Sequence, residues 1–315
     1  HMPRFLSSSA LLLLAIVTTG CTSASPFTPA PSGYVRIKAT QTVSHAPAPT
    51  RTPPSTSTIP APTAPPIPTL TTAEREKFIL VALKSRTTCD LPCWWSIVPG
   101  QTRWTEAEHL LEHLGVVSSL GPSELADFTA HETGGFDLED QQIYHRIRFF
   151  EQMGTVASID ILAESDFNVV GFQSLWQMYS PQQIMATYGQ PAQVWINTAG
   201  QVPVDLSNPR VSYGLLLFYD QLGFLVEYSG MTGYGPIYHI CPKFENGEDI
   251  YRMKLFLQAS ASNIPLGKRI PGYAANYRYY HTLREATGLE TKEFFALFTQ
   301  DDKTACFDTP QSIWP

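Results

Sequence analysis

One order of signals occurs twice in this chain: a short amphipathic helix, a glycine that stops it, then an antiparallel hairpin. The first helix is predicted over 102–114, with Ala107, Leu110, Leu111 and Leu114 as its apolar stripe and Gly115 as a left-handed stop. Two strands follow, near 142–151 and 155–163, joined by Gln152-Met153-Gly154. In the first, Ile143, His145, Ile147 and Phe149 alternate with Tyr144, Arg146, Arg148 and Phe150, the period of a half-buried strand. In the second, Val156, Ser158 and Asp160 fall on one face and Ala157, Ile159 and Ile161 on the other. The second copy opens at Ser180-Pro181-x-Gln183, which combines an N-cap, a first-turn proline and a capping-box partner. Its helix carries Ile184, Met185 and Tyr188 and stops at Gly189-Gln190-Pro191. Strands are predicted near 192–197, 211–219 and 224–228, the last two joined by a tight turn from Asp220 to Gly223. Helices with one apolar stripe and hairpins with one apolar face must bury each other. The expected fold class is therefore α+β. Two tandem helix-plus-hairpin units, about 94–165 and 176–230, form a sheet with helices packed on one face, and a short C-terminal helical tail follows.

Other elements frame this pair. A helix is expected from residue 71, where Thr71-x-x-Glu74 is a capping box and Phe78, Ile79, Ala82 and Leu83 make a stripe. The stretch 89–100 reads as a loop that Trp94, Trp95 and Ile97 bury against the core. A polar loop holding Gly134-Gly135 separates the first helix from its hairpin. The stretches 237–241 and 250–258 read as strands around a turn at Glu245-Asn-Gly-Glu248. In the tail, Thr282-x-x-Glu285 with Gly288 brackets one short helix, and Phe294, Phe295, Leu297 and Phe298 mark another near 291–299.

The stretches PGQTRWTEAEHLLEHLG (99–115) and YSPQQIMATYGQP (179–191), each followed by hairpin strands, resemble the helix–glycine–strand signature of small outer-membrane assembly lipoproteins of the BamE/SmpA type. They are also similar to the tandem-repeat fold of β-lactamase-inhibitor protein. The resemblance implies a non-catalytic domain that binds other proteins through a concave sheet. The Trp-Trp loop, the cysteines and the long tail depart from that pattern.

Near the beginning, Arg4 precedes a short apolar run, Leu11 to Val17, closed by Thr18-Thr19-Gly20-Cys21. The run is shorter than the about 20 residues that span a bilayer, so it is expected to be a signal peptide over 1–20. The closing residues resemble the lipobox of bacterial lipoproteins, which implies a diacylglyceryl group on Cys21 and an exported domain anchored at the outer face of a bacterial membrane. Ordinary cleavage after Ala24 is the alternative. Residues 22–70 hold twelve of the 26 prolines, no Asp or Glu, and only Arg36, Lys38 and Arg51 as charges. Such a composition cannot offset its ordering entropy by burial, so 21–70 is expected to be a lipidated, Pro/Ser/Thr-rich disordered linker ahead of a globular domain at 71–315.

The net charge of −7 disfavours nucleic acid as a partner. With Cys21 lipidated, Cys89, Cys93, Cys241 and Cys306 remain, and four cysteines allow three pairings. Short spacing beside Pro92 favours Cys89–Cys93, leaving Cys241–Cys306 to close a long loop. His109-Leu-Leu-Glu112-His113 matches the H-x-x-E-H pattern of zinc peptidases, so a zinc hydrolase is the alternative function. Both histidines fall away from the helix stripe, toward solvent. A third ligand is needed, and Glu124, Asp127, Glu132 and Glu139 are equal nominees. Neither a G-x-S-x-G, a P-loop nor a G-x-G-x-x-G occurs, so neither a catalytic set nor a cofactor is assigned. The candidate binding surface is aromatic: Trp94 and Trp95, with Tyr273, Tyr277, Tyr279 and Tyr280 among cations in the long crossover. The expected partner is a protein or an envelope polymer; the other reading is a structural or assembly lipoprotein with no separable ligand.

Overall fold

The computed structural model of the chain describes residues 69–85, 89–116, 120–125, 128–132, 136–138, 143–165, 169–198, 209–244, 250–260, 262, 265–269, 279–300 and 305–314. The expectations for the signal, for Cys21 and for nearly all of the linker lie outside them, as does the turn at 245–248. Helix α1 (Thr72–Ser85) begins at its capping box. The Thr71 N–H donates to Glu74 Oε2 at 2.9 Å, and the Glu74 N–H donates back to Thr71 Oγ1 at 3.4 Å. Helix α2 (Trp104–His113) turns Ala107 and Leu111 inward, and Leu114 is buried just beyond its end. Gly115, at φ 65°, lets the chain leave. The start of α2 is tied to the sheet: Trp104 N–H donates to the Gly154 carbonyl and Val156 N–H to that of Thr102.

Strands β1 (Leu120–Leu125), β2 (Phe128–Glu132) and β3 (Phe136–Leu138) occupy the stretch expected to be a polar loop, and this corrects that expectation. Their sequences, LGPSEL, FTAHE and FDL, show no strand-like apolar alternation, and they gain their partners by pairing: β2 and β3 with β4 of the hairpin that follows, and β1 with β2. That hairpin is β4 (Ile143–Gln152) and β5 (Thr155–Glu164). Its two-residue turn, Met153 and Gly154, has φ of 51° and 76°, the left-handed pair that matches strand twist.

Next come α3 (Val169–Trp176), which the sequence analysis did not place, and α4 (Pro181–Tyr188), capped by a Gln183 N–H bond to Ser180 Oγ. Then follow β6 (Gln193–Thr198), β7 (Arg210–Tyr219), β8 (Phe224–Gly233), β9 (Ile237–Ile240), β10 (Ile250–Gln258) and α5 (Leu266–Arg269). The tail holds β11 (Tyr280–Thr282), α6 (Leu283–Thr287), α7 (Thr291–Thr299) and β12 (Phe307–Pro310). Both tail helices stand where expected.

Every pairing is antiparallel. The main sheet runs β1-β2-β4-β5-β10-β8-β7-β6-β11, with β3 on the side of β4, and β9 and β12 form a second, two-stranded sheet. The two stretches near 240 and 254 therefore do not pair with each other. β10 instead slots between the two hairpins, setting Leu255 opposite Ile161 of β5 and Val226 of β8. It carries buried Met253, Leu255 and Leu257 on the face shared with both neighbours, so it fuses their sheets into one.

That inner face meets the helices in one core cluster, which includes Ile79 and Leu83 of α1, Phe172 of α3, Ile184 of α4 and Phe294 of α7. A bulge shifts β5 by one residue. Phe150 pairs with Ser158 but Glu151 with Val156, so Ala157 is the extra residue. Val156 is consequently buried on the same side as Ile159 and Ile161, which corrects the alternation expected for this strand. Both favoured disulfides are formed, Cys89–Cys93 and Cys241–Cys306.

Candidate functional site

The face of the main sheet turned away from α1, α3, α4 and α7 divides in two. Over β6, β7 and β8 it is apolar. Leu216, Phe218, Leu225 and Phe256 form a second small cluster, closed by Leu266 of α5 and packed against by Trp195 and Tyr280. The Leu266 N–H donates to Asp220 Oδ1 at 3.0 Å, which pins α5 beside the β7–β8 turn. Over β4, β5 and β10 the face changes character. The outward residues are Tyr144, Arg146 and Arg148 on β4, Asp160, Leu162 and Glu164 on β5, and Arg252 and Lys254 on β10, all half-buried.

The strand registers order these charges. Arg148 lies opposite Asp160, Arg146 opposite Leu162, and Leu162 in turn opposite Lys254. Glu164 lies between Tyr144 and Arg252. Lys254 Nζ reaches diagonally to Asp160 Oδ2 at 3.3 Å. Four cations face two carboxylates here, on a chain whose net charge is −7. Arg252 Nε and Asp160 Oδ1 are buried without a hydrogen-bond partner among the described residues, which leaves donor and acceptor capacity in this half of the face.

The two halves meet at Glu227 of β8, which is opposite Lys254 and almost fully buried. Burial raises its carboxyl pKa above the usual range, while Lys254 and then Arg252 hold it down. The Tyr280 hydroxyl donates to Glu227 Oε1 at 3.4 Å. Burial, and then the Glu227 charge, push the Tyr280 pKa up, so the phenol stays a donor. Gly214 leaves room for this contact: a Cβ there would touch Asn197 Cβ at 3.8 Å, Glu227 Oε1 at 3.9 Å and Tyr280 Cε1 at 4.0 Å.

The residues singled out from sequence scatter. Trp94 and Trp95 are each 3 % exposed, in an aromatic cage with Trp176 and His145, which removes them from any surface. A tandem of tryptophans before a Pro-Gly turn signals bulk to bury as readily as bulk to present. Tyr280 stands at the edge of the sheet face, Tyr279 beside it is 37 % exposed, and Tyr273 and Tyr277 lie outside the described residues. His109 and Glu112 are exposed, 3.5 Å apart on the outside of α2, with His113 half-buried one turn on. The side chains of Glu124, Asp127, Glu132 and Glu139 lie outside the described ones. Among the described residues, three metal-ligand atoms gather in one place only, around His239, Cys241 and Cys306.

Sequence reasoning missed the charged half-face. Its Arg146, Arg148 and Asp160 stood in the alternation of β4 and β5, but β10 brings Arg252 and Lys254 beside them through a long-range pairing that leaves no local signal. No helix among the described residues is long and apolar enough to cross a membrane. Neither the family models nor the curated proteins nor the solved structures contain a match to this chain.

Proposed function

We propose that this chain is an exported lipoprotein, anchored through a diacylglyceryl group on Cys21, whose folded domain is a binding module for another protein or an envelope polymer. The two helix-plus-hairpin units are, in this reading, tandem copies fused by β10. The linker carries the domain away from the membrane surface. Two formed disulfides fit an oxidising, extracytoplasmic compartment.

One observation carries the binding reading: the outer face over β4, β5 and β10, where Arg146, Arg148, Arg252 and Lys254 outnumber Asp160 and Glu164 on strands not capped by a described helix. A positive patch on an acidic protein selects a partner with negative charge and steers its approach. The face agrees with the sheet-surface binding that the BamE/SmpA-type resemblance implies. A partner that crosses several strands reads the arrangement of side chains, which explains why the recognition residues come from separate parts of the chain.

Co-sedimentation with washed bacterial envelopes tests this. The full chain with Cys21→Ser, which removes the lipid contribution, is expected to sediment at low salt and to be released at high salt. Arg148→Glu with Lys254→Glu is expected to weaken sedimentation at least about tenfold, the size of a lost pair of interfacial charges. Sedimentation unchanged by that double substitution would remove the face from the account.

A further inference from the structure

The strand registers carry one row of residues across seven strands of the main sheet, on its outer face. On β4, β5 and β10 the row is Tyr144, Glu164 and Arg252, each opposite the next. Across β8, β7 and β6 it continues as Ser229, Gly214 and Asn197, and it ends at Tyr280 of β11. Every member is polar, a tyrosine or the glycine. Six inter-strand spacings of about 4.8 Å make the row about 29 Å long. Its middle is low, because Ser229 is small and Gly214 has no side chain, and the Tyr280 ring comes to 4.0 Å from where a Gly214 Cβ would stand. Arg252 Nε and Asn197 Oδ1 have no hydrogen-bond partner among the described residues, an idle donor and an idle acceptor on one line. The next row over carries Arg146, Lys254 and Glu227.

We propose, on the reading of this face as the binding face, that the row is the track of an anionic glycan, a linear sugar polymer that bears carboxylates. A protein partner draws most of its affinity from a desolvated apolar or aromatic centre. None of the large apolar side chains that stand exposed among the described residues lies on this row or on the one through Arg146 and Lys254. The row instead mixes donors with acceptors, as a chain of hydroxyls and acids requires. Guanidinium forks fit carboxylates, and Arg252 and Arg146 supply two of them. Tyr144 and Tyr280, one at each end, offer half-buried aromatic rings against which the apolar faces of sugar rings pack.

The groups divide the work. Carboxylates of the glycan fall to Arg146, Arg252 and Lys254, and its hydroxyls to Glu164 and Asn197 Oδ1. Arg252 and Asn197 are half-buried, and their side chains rotate outward to take the ligand. The acids on the face, Glu164 and Glu227, repel a partner made of charge alone, so a polymer of hydroxyls between spaced anions is preferred to a phosphate polymer or a polyacidic peptide.

Affinity electrophoresis of the full chain with Cys21→Ser, in gels that each hold one polymer, separates the classes. Polygalacturonate and alginate are the carboxylated glycans, dextran is a neutral one, and polyphosphate and poly-L-glutamate are anions without sugar rings. The expected result is retardation by a carboxylated glycan with an affinity at least about tenfold above that for the other three polymers. Tyr144→Ala is expected to weaken glycan binding about fivefold by removing an aromatic platform. Asn197→Asp is expected to weaken it about tenfold by setting a negative charge on the track, outside the charged half of the face. Where either variant loses its native circular dichroism, the other decides. Equal affinity for polyphosphate or poly-L-glutamate overturns the proposal, as does the absence of binding to both carboxylated glycans, or glycan binding untouched in both variants. In each of these cases the envelope assay with Arg148→Glu and Lys254→Glu reports separately on whether the face itself binds.

Discussion

His145 has no exposed surface and lies among Trp94, Trp95 and Trp176, where desolvation takes its pKa down to about 3. The imidazole is therefore neutral in the fold and protonates in the unfolded chain below the free value of about 6.5. Between these limits the unfolded state binds the extra proton, so stability rises with pH, by about 1.4 kcal/mol per unit from this group alone. His145→Phe, which keeps an aromatic ring in the cage, is expected to lose this component. Urea unfolding at about pH 5 and about pH 7 checks it, because the difference in unfolding free energy between the two should shrink relative to the parent. Glu227 has the opposite sign. Its carboxyl pKa is raised by burial despite Lys254 and Arg252, with Asp160 adding to the rise and Tyr280 donating a bond. The fold then holds the proton more tightly than the unfolded chain, and stability is lost as pH rises through the folded value. Glu227→Gln is expected to stabilise the domain at neutral pH and to change little at about pH 3, where the carboxyl is protonated in both the folded and the unfolded chain. A destabilised variant at neutral pH would show that the ionised carboxylate is satisfied by its cations.

At the level of elements, the β7–β8 turn shows how a local signal and a distant contact combine. Gly223 ends the turn at φ 80°, and a Cβ there would meet the Gln258 carbonyl at 2.5 Å and the Ser260 backbone at 2.9 Å. The Gln258 N–H also donates to the Gly223 carbonyl at 2.8 Å, so the turn seats the end of β10. Gly223→Ala is expected to cost more than about 2 kcal/mol, from the left-handed conformation and the backbone clash together. Chemical denaturation would register this, and a loss under about 0.5 kcal/mol would mean that β10 is not held there. The glycine itself was legible in the sequence as a turn; the backbone beneath it was not. The same division runs through the fold. The helices that carry caps were legible: α1 from Thr71 and Glu74, α4 from Ser180, α6 from Thr282 and Gly288, all bonds between near neighbours. Strands β1 to β3 were not, because pairing with β4 and with each other supplies what their local pattern lacks. The expected phase of β5 failed at Val156 and Ala157, where the bulge lies, since a bulge is a property of two strands and not of one.

For the whole molecule, the insertion of β10 is the decisive step. It turns two local hairpins into one sheet and brings Arg252 and Lys254 beside Asp160 and Glu164, more than 85 residues away in the chain. The charged face was legible only as half of an alternation. Trp94 and Trp95 were read both as burying their loop against the core and as candidate binding surface; the first reading holds, because their bulk fills the space between α1, α3 and β4. The account's central claim is that this face is where a partner sits. Site-specific photocrosslinking tests it most directly, with a photoreactive residue placed in turn at Arg146, Arg148, Arg252 and Lys254, and at Glu76 and Lys77 of α1 as controls. In the native envelope, the account predicts adducts of one common mass from the sheet positions and none from α1. Adducts from α1 alone, or none from any sheet position, would contradict it.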